Sequence, residues 1–324
     1  MAKSRIVFMG TPEFAVPSLR ALCERADNCE VVAVVTREDK PSGRGRKLNP
    51  PPVKVYAESQ NIPVLQPKGV KNPSVQQELR AFSPDLIVVA AYGRILPPVV
   101  LYLPNIACVN VHASLLPKHR GASPIAHAIL AGDQEVGVCI MQMEEGLDTG
   151  PVYLARKKQM SAQATCGSLT EEFAELGALA LLDALPGILD GSLQAVPQDD
   201  GCATYAPLLK KEDGLLDFCE PAAVLERRVR AFDPWPGATT YKGDLRVLVL
   251  ASSVSDKVDG EPGTVVEAGG RGVVVACRSG SLRLERVKPA GRKAMDASAW
   301  AAGRGIAVGD QLGGAREDQT TTIP

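Results

Sequence analysis

The sequence predicts an α/β protein in which a Rossmann-like parallel sheet is followed by a smaller OB-like β-barrel. Short apolar runs alternate with helical stretches through the first half, the pattern of a parallel sheet covered by helices. Periodicity is then lost over residues 191–207, where Gly, Pro, Gln and Asp collect as they do in a domain linker. Beyond Gly237 the chain gives short β-rich runs separated by glycine turns, which suit a small barrel. The expected division is a first domain over 1–190, a linker over 191–207 and a barrel domain over 208–324.

Taken in order, the apolar run 5–9 reads as a strand that Gly10 turns into a helix, with Thr11 as its cap and Pro12 at its first position. Further strands are expected at 31–35, 63–65, 85–90, 106–111 and 136–143, with helices between them. Residues 152–160 alternate like a strand, and 166–185 form an alanine- and leucine-rich helix with Glu171 and Glu172 near its start. In the barrel, strands are expected at 245–250, 263–267, 272–276 and 281–284.

A chain of 324 residues with 45% hydrophobic residues has enough apolar surface for two cores. Its net charge of -1 excludes a strongly basic coat, so any nucleic-acid contact must come from a local patch. The N-terminal apolar run is too short for a signal peptide and no stretch approaches membrane-spanning length, which makes the cytoplasm the default compartment and a monomer the expected state. The eight cysteines are scattered with no CxxC pair, as reduced core thiols are. His112, His119 and His127 have no Cys or carboxylate at ligand spacing, so no metal is expected.

The segment NVHASLLPKHRGASPI carries the best candidates for chemistry. The two-residue alternation of a strand puts Asn110 and His112 on one side of its C-terminal end, where parallel sheets bind ligands. SLLPKHRGASP then reads as a shaped surface loop that ends where Pro124 starts a helix. Downstream, EEGLDTGP sets Asp148 between Gly146 and Gly150 in a turn-rich loop, bringing a carboxylate toward the same rim. An amide donor, an imidazole and a carboxylate suit acyl transfer: the developing oxyanion needs a donor and an attacking amine must lose a proton. The fourth strand ends in AAYGRILP, whose Tyr92 and Gly93 leave the sheet beside these residues. Between the second strand and the next helix, residues 36–55 hold six basic side chains (Arg37, Lys40, Arg44, Arg46, Lys47 and Lys54) against Glu38 and Asp39, a local charge of +4. Such a run is either a solvated connection or a phosphate-binding segment that orders on RNA.

These motifs resemble the folate-dependent formyltransferases. Members carry the Asn-x-His pair, the SLLP turn and the Asp of a GLDTG loop, all present here in order, and the likeness extends through GTPEFA, AYGRILP, FDPWP and KPAGRKAM. The resemblance implies catalysis by Asn110, His112 and Asp148. It implies a folate site made by Ser114, Leu115, Leu116 and Pro117, walled by Tyr92, Gly93, Ile95 and Leu96. The donor implied is 10-formyltetrahydrofolate, with no metal. The basic insertion is similar to that of the members acting on methionyl initiator tRNA, which makes Arg44, Arg46 and Lys47 candidate tRNA contacts and the barrel a candidate tRNA-binding domain. Sugar-nucleotide formyltransferases and formyltetrahydrofolate hydrolases share the trio, but neither accounts for the insertion and the barrel together. A non-catalytic RNA- or folate-binding protein would leave the trio without a role.

Overall fold

A computed structural model describes residues 3–42, 47–255 and 260–314, which fall into two compact units. The first comprises Met1–Ile125, Gln134–Met160 and Ser168–Pro207, and the second Ala126–Asp133, Ser161–Gly167 and Leu208–Pro324.

In the first unit, β1 (Ser4–Gly10) leads through a single 3-10 turn at Glu13–Ala15 into α1 (Val16–Arg25) and β2 (Cys29–Val35). Thr11 does not cap the helix. Its hydroxyl donates to the Tyr92 carbonyl at 3.2 Å, tying the first turn to the end of the fourth core strand. The insertion that follows is a ribbon of β3 (Lys40–Ser42) and β4 (Lys47–Asn49), paired antiparallel from Lys40 with Asn49 to Ser42 with Lys47. Then come α2 (Pro52–Ser59), β5 (Val64–Leu65) and α3 (Pro73–Ala81). Asn72 caps α3 by accepting from the Ser74 N–H at 3.0 Å, just ahead of Pro73 in the first turn. The chain continues with β6 (Leu86–Ala90), α4 (Pro98–Leu101), β7 (Ala107–His112), the two-residue β8 (Arg120–Gly121) and α5 (Pro124–Ala131). After β9 (Glu135–Gln142), β10 (Val152–Gln159) and α6 (Cys166–Leu189) it reaches β11 (Tyr205–Ala206).

Seven of these strands form one sheet in the order β10-β9-β7-β6-β1-β2-β5. From β7 to β5 all neighbours are parallel, as expected. β9 and β10 depart from the expectation of a wholly parallel sheet, since β9 runs antiparallel to both β7 and β10. Residues 136–141 of β9 are apolar because the strand is buried on both faces, a condition that does not depend on direction. Residues 191–207, expected as a linker, pack within the first unit. Val196 bridges to Val152, and β11 pairs in parallel with β8.

In the second unit, α7 (Ala222–Ala231) precedes an antiparallel sheet of β12 (Ala238–Lys242), β13 (Leu245–Ser255), β14 (Val265–Gly269), β15 (Gly272–Ala276), β16 (Ser281–Pro289) and β17 (Met295–Asp296), followed by α8 (Ala297–Ala302). Closure comes from residues 310–313. Gln311 bridges to Thr264 beside β14, and Gly313 bridges to Tyr241 of β12. The interior holds Val247, Val249, Val265, Val273, Leu282 and Leu284 under the indole of Trp300. Because Leu284 is fully buried in this small core, Leu284→Ala is expected to destabilise the fold by about 2–5 kcal/mol. A urea midpoint equal to that of the unaltered protein would contradict the assignment of Leu284 to the core.

Candidate active site

β7 places the site. Val111 points into the core, so the alternation sends Asn110 and His112 to the opposite side, with Asn110 half-buried and His112 5% exposed. Asp148 approaches from the loop between β9 and β10 with φ +52°, a left-handed conformation that Asp tolerates better than most residues. One of its carboxylate oxygens, Oδ2, accepts from the Gly121 N–H at 2.9 Å. The other, Oδ1, lies 3.7 Å from His112 Nδ1.

The state of His112 follows from its partners. Its Nε2 lies 3.2 Å from the His119 carbonyl oxygen, which can only accept, so Nε2 carries the proton and Nδ1 faces Asp148. Burial holds the imidazole pKa below 6.5. The Asp148 carboxylate and the His119 carbonyl act in the opposite direction and do not overcome it. The ring is therefore neutral at neutral pH, with a basic nitrogen turned toward a carboxylate.

This shift has a consequence for stability. Between the lowered native value and 6.5 the unfolded chain binds more protons than the native one. His112 therefore contributes fully above 6.5, and its contribution is lost as pH falls toward the native value. Unfolding free energies measured from about pH 7 to about pH 5.5 should fall more steeply for the native protein than for His112→Asn. Equal slopes would remove the buried, neutral imidazole.

The loop after β7 is held by the segment once expected as a linker. His119, at φ +58°, donates its backbone N–H to the Thr204 hydroxyl at 2.9 Å, and the Arg120 N–H donates to the Thr204 carbonyl at 2.8 Å. Gly121 sits at φ +128°, and a Cβ there would come within 2.6 Å of the Ala206 carbonyl oxygen, so only glycine fits. Arg120 is 2% exposed. Thr204 and Gln198 were not singled out from the sequence. Both lie in a stretch without periodicity, and neither residue type by itself signals a site.

Around the proposed folate turn, Ser114 is buried and its hydroxyl donates to the Lys118 carbonyl at 2.6 Å, while Leu115 packs over Gly137 of β9. Leu116 and Pro117 line a cavity with Val152–Ala155 of β10 and residues 196–199. On the neighbouring strand end, Tyr92 is buried, Gly93 takes φ +75°, Ile95 is 83% exposed and Leu96 is packed into the core. The Leu96 side chain is thus committed to packing, which leaves its backbone for a ligand. Of the candidate tRNA contacts, Arg44 and Arg46 lie outside the described residues, and only the backbone of Lys47, in β4, is described. Among the described residues no group of His, Cys, Asp and Glu is arranged to hold a metal ion, and no helix is long and apolar enough to cross a membrane.

The chain is similar to known proteins over nearly its whole length. The profile of the formyl transferase family matches residues 4–185, and that of the formyl transferase C-terminal domain matches residues 208–305. Methionyl-tRNA formyltransferase of Myxococcus xanthus is 49% identical over 96% of this chain and 98% of its own. Among solved structures, WlaRD, described as a sugar 3N-formyl transferase in the presence of dTDP and 5-N-formyl-THF, matches 90% of this chain and 100% of its own with a TM-score of 0.64 at 16% identity. Methionyl-tRNA formyltransferase from Clostridium thermocellum matches 78% of this chain and 94% of its own with a TM-score of 0.54 at 17% identity. At such identities the solved structures speak for the fold alone, whereas the near-full-length match to the Myxococcus enzyme settles membership: the chain belongs to the methionyl-tRNA formyltransferase family.

Proposed function

We propose that this protein transfers the formyl group of 10-formyltetrahydrofolate to the free α-amino group of methionyl initiator tRNA. The observation that carries this reading is the 49% identity to a methionyl-tRNA formyltransferase over 96% of the chain. The site is suited to the chemistry. The amine attacks the formyl carbon, forming a C–N bond as the carbonyl becomes an oxyanion. The Asn110 amide stabilises that charge as a hydrogen-bond donor, and His112 adds a positive charge beside it once Nδ1 has taken up a proton. Asp148 takes the proton shed by the attacking nitrogen and passes it to the basic Nδ1 of His112, which lies 3.7 Å from its Oδ1. Collapse of the intermediate breaks the bond to N10 of the folate, which leaves with a proton returned through the same pair.

In this reading the folate lies along residues 114–117 and the turn at Tyr92, Gly93, Ile95 and Leu96. The division of labour places chemistry in the first unit, residues 191–207 included, and tRNA affinity in the barrel of 208–324 and in the insertion, with the protein acting as a cytoplasmic monomer. The test is a choice of acceptors. Incubated with 10-formyltetrahydrofolate, the protein should formylate methionyl initiator tRNA and leave a sugar-nucleotide amine untouched. Formylation of the sugar amine alone overturns the proposed acceptor, and tight tRNA binding without formylation of either overturns the enzyme.

A further inference from the structure

The loop that carries Asp148 is exposed at its tip, where Leu147 is 59% exposed, yet its carboxylate must be held against His112 to a fraction of an ångström. Gly121 of β8 holds the carboxylate itself. The backbone behind it is held by Gln198. The Gln198 amide nitrogen donates to the Asp148 carbonyl at 2.9 Å and to the Gly150 carbonyl at 2.6 Å. Its oxygen accepts from Arg120 Nε at 3.1 Å and Nη2 at 2.9 Å. Every donor and acceptor direction of this amide is used, so its orientation is fixed. Arg120 in turn reaches the exposed Asp200 at 2.7 Å.

Burying a guanidinium is expensive, and an apolar side chain of similar volume would fill the same space at lower cost if packing were the only requirement. The arrangement does supply a fixed frame. Arg120 and Gly121 are adjacent residues of β8, so one short strand grips Asp148 twice, at its carboxylate through Gly121 and at its backbone through Arg120 and Gln198.

We propose that Gln198, anchored by the buried Arg120, is a positioning residue for the transfer reaction: it sets the backbone of the Asp148–Gly150 turn and thereby the approach of the Asp148 carboxylate to His112. The proposal rests on the reading of Asp148 as the proton-accepting group. In this proposal Gln198 acts on the reaction through Asp148.

Gln198→Glu keeps the size and the contact with Arg120 but removes both donors to the turn. Its kcat should fall about 10- to 100-fold, while KM for the tRNA and for the formyl donor stays within about twofold and the thermal midpoint stays near that of the unaltered protein. Gln198→Met, which keeps the shape without the amide, should show the same split between kcat and KM and serves if the glutamate variant folds poorly. The decisive measurement is the double variant. In an Asp148→Asn background, Gln198→Glu should change the residual kcat by less than about twofold, because a group acting through Asp148 has nothing left to position. Native kcat in both Gln198 variants, or the same fold-loss with and without Asp148, overturns the proposal. Full turnover of Asp148→Asn alone would instead sink the reading of Asp148 on which the proposal stands.

Discussion

Asp148→Asn should lower turnover by about a thousandfold, and His112→Ala by a comparable factor, while the affinities for folate and tRNA change little. The expectation comes from where the two groups sit and what they face. His112 is neutral, its Nε2 proton is committed to the His119 carbonyl, and its free nitrogen looks at Asp148 across 3.7 Å. Neither group is needed to recognise a folate ring or a tRNA arm. Both act when an amine becomes an ammonium and a carbonyl becomes an oxyanion, so their loss appears in kcat with KM preserved. Asparagine retains the shape of Asp148 and can still meet the Gly121 N–H through its carbonyl, which keeps the loop in place while removing the charge. The two losses should not multiply, since the residues form one unit, and His112→Ala added to Asp148→Asn should cost well under a further tenfold. Single-turnover measurement with saturating tRNA separates this outcome from slow product release. Native turnover in either variant would strip that residue of its role.

Much of this site could be read from the sequence because its parts lie on regular elements. The i, i+2 relation of Asn110 and His112 is a property of any strand, and β7 ends at His112, one residue beyond the expected run. Asp148 was legible through the glycines around it, which mark a turn. What escaped was long-range. Gln198 and Thr204 act on a loop dozens of residues away, and the parallel pairing of β11 with β8 involves only two residues of each strand. A segment that short has no period to detect. The same limit explains the barrel. β16 runs on to Pro289 although the apolar run breaks at Glu285 and Arg286, because its outward positions are polar while Val287 returns to the core. β12 was not expected at all, since its sequence ATTYK lacks an apolar stretch and its place is set by pairing with β13.

The direction of β9 is instructive for a different reason. An apolar run reports burial on both faces, and burial is the same whichever way the strand runs between β7 and β10. Between β7 and β9 the loop carrying His119 and Arg120 pairs with β11 before α5 begins. That excursion is what delivers the His119 carbonyl and the Gly121 N–H to the site.

The charge of the insertion predicts the second large effect. Among the basic residues of 36–55, Lys54 is paired with Asp39 at 3.0 Å, so that carboxylate is neutralised at the base of the ribbon and does not oppose the charge carried beyond it. Asp39 is held further by Gln66, and these contacts keep its carboxyl below the usual range. Arg44, Arg46 and Lys47 are the proposed contacts of this segment with an anionic partner. Each basic side chain that neutralises a phosphate releases a counterion, so replacing all three by alanine should reduce the salt slope of tRNA binding by about three. At 0.15 M salt the same loss should lower kcat/KM for methionyl initiator tRNA by about a hundredfold, most of it in KM. The KM for the formyl donor should stay unchanged, because the charges removed belong to the insertion and the proposed folate turn is at residues 114–117. Binding measured across a salt series decides the matter: parallel slopes for the native and triple-alanine proteins, with equal kcat/KM for tRNA, would make the +4 segment a solvated connection whose charge serves solubility and nothing else.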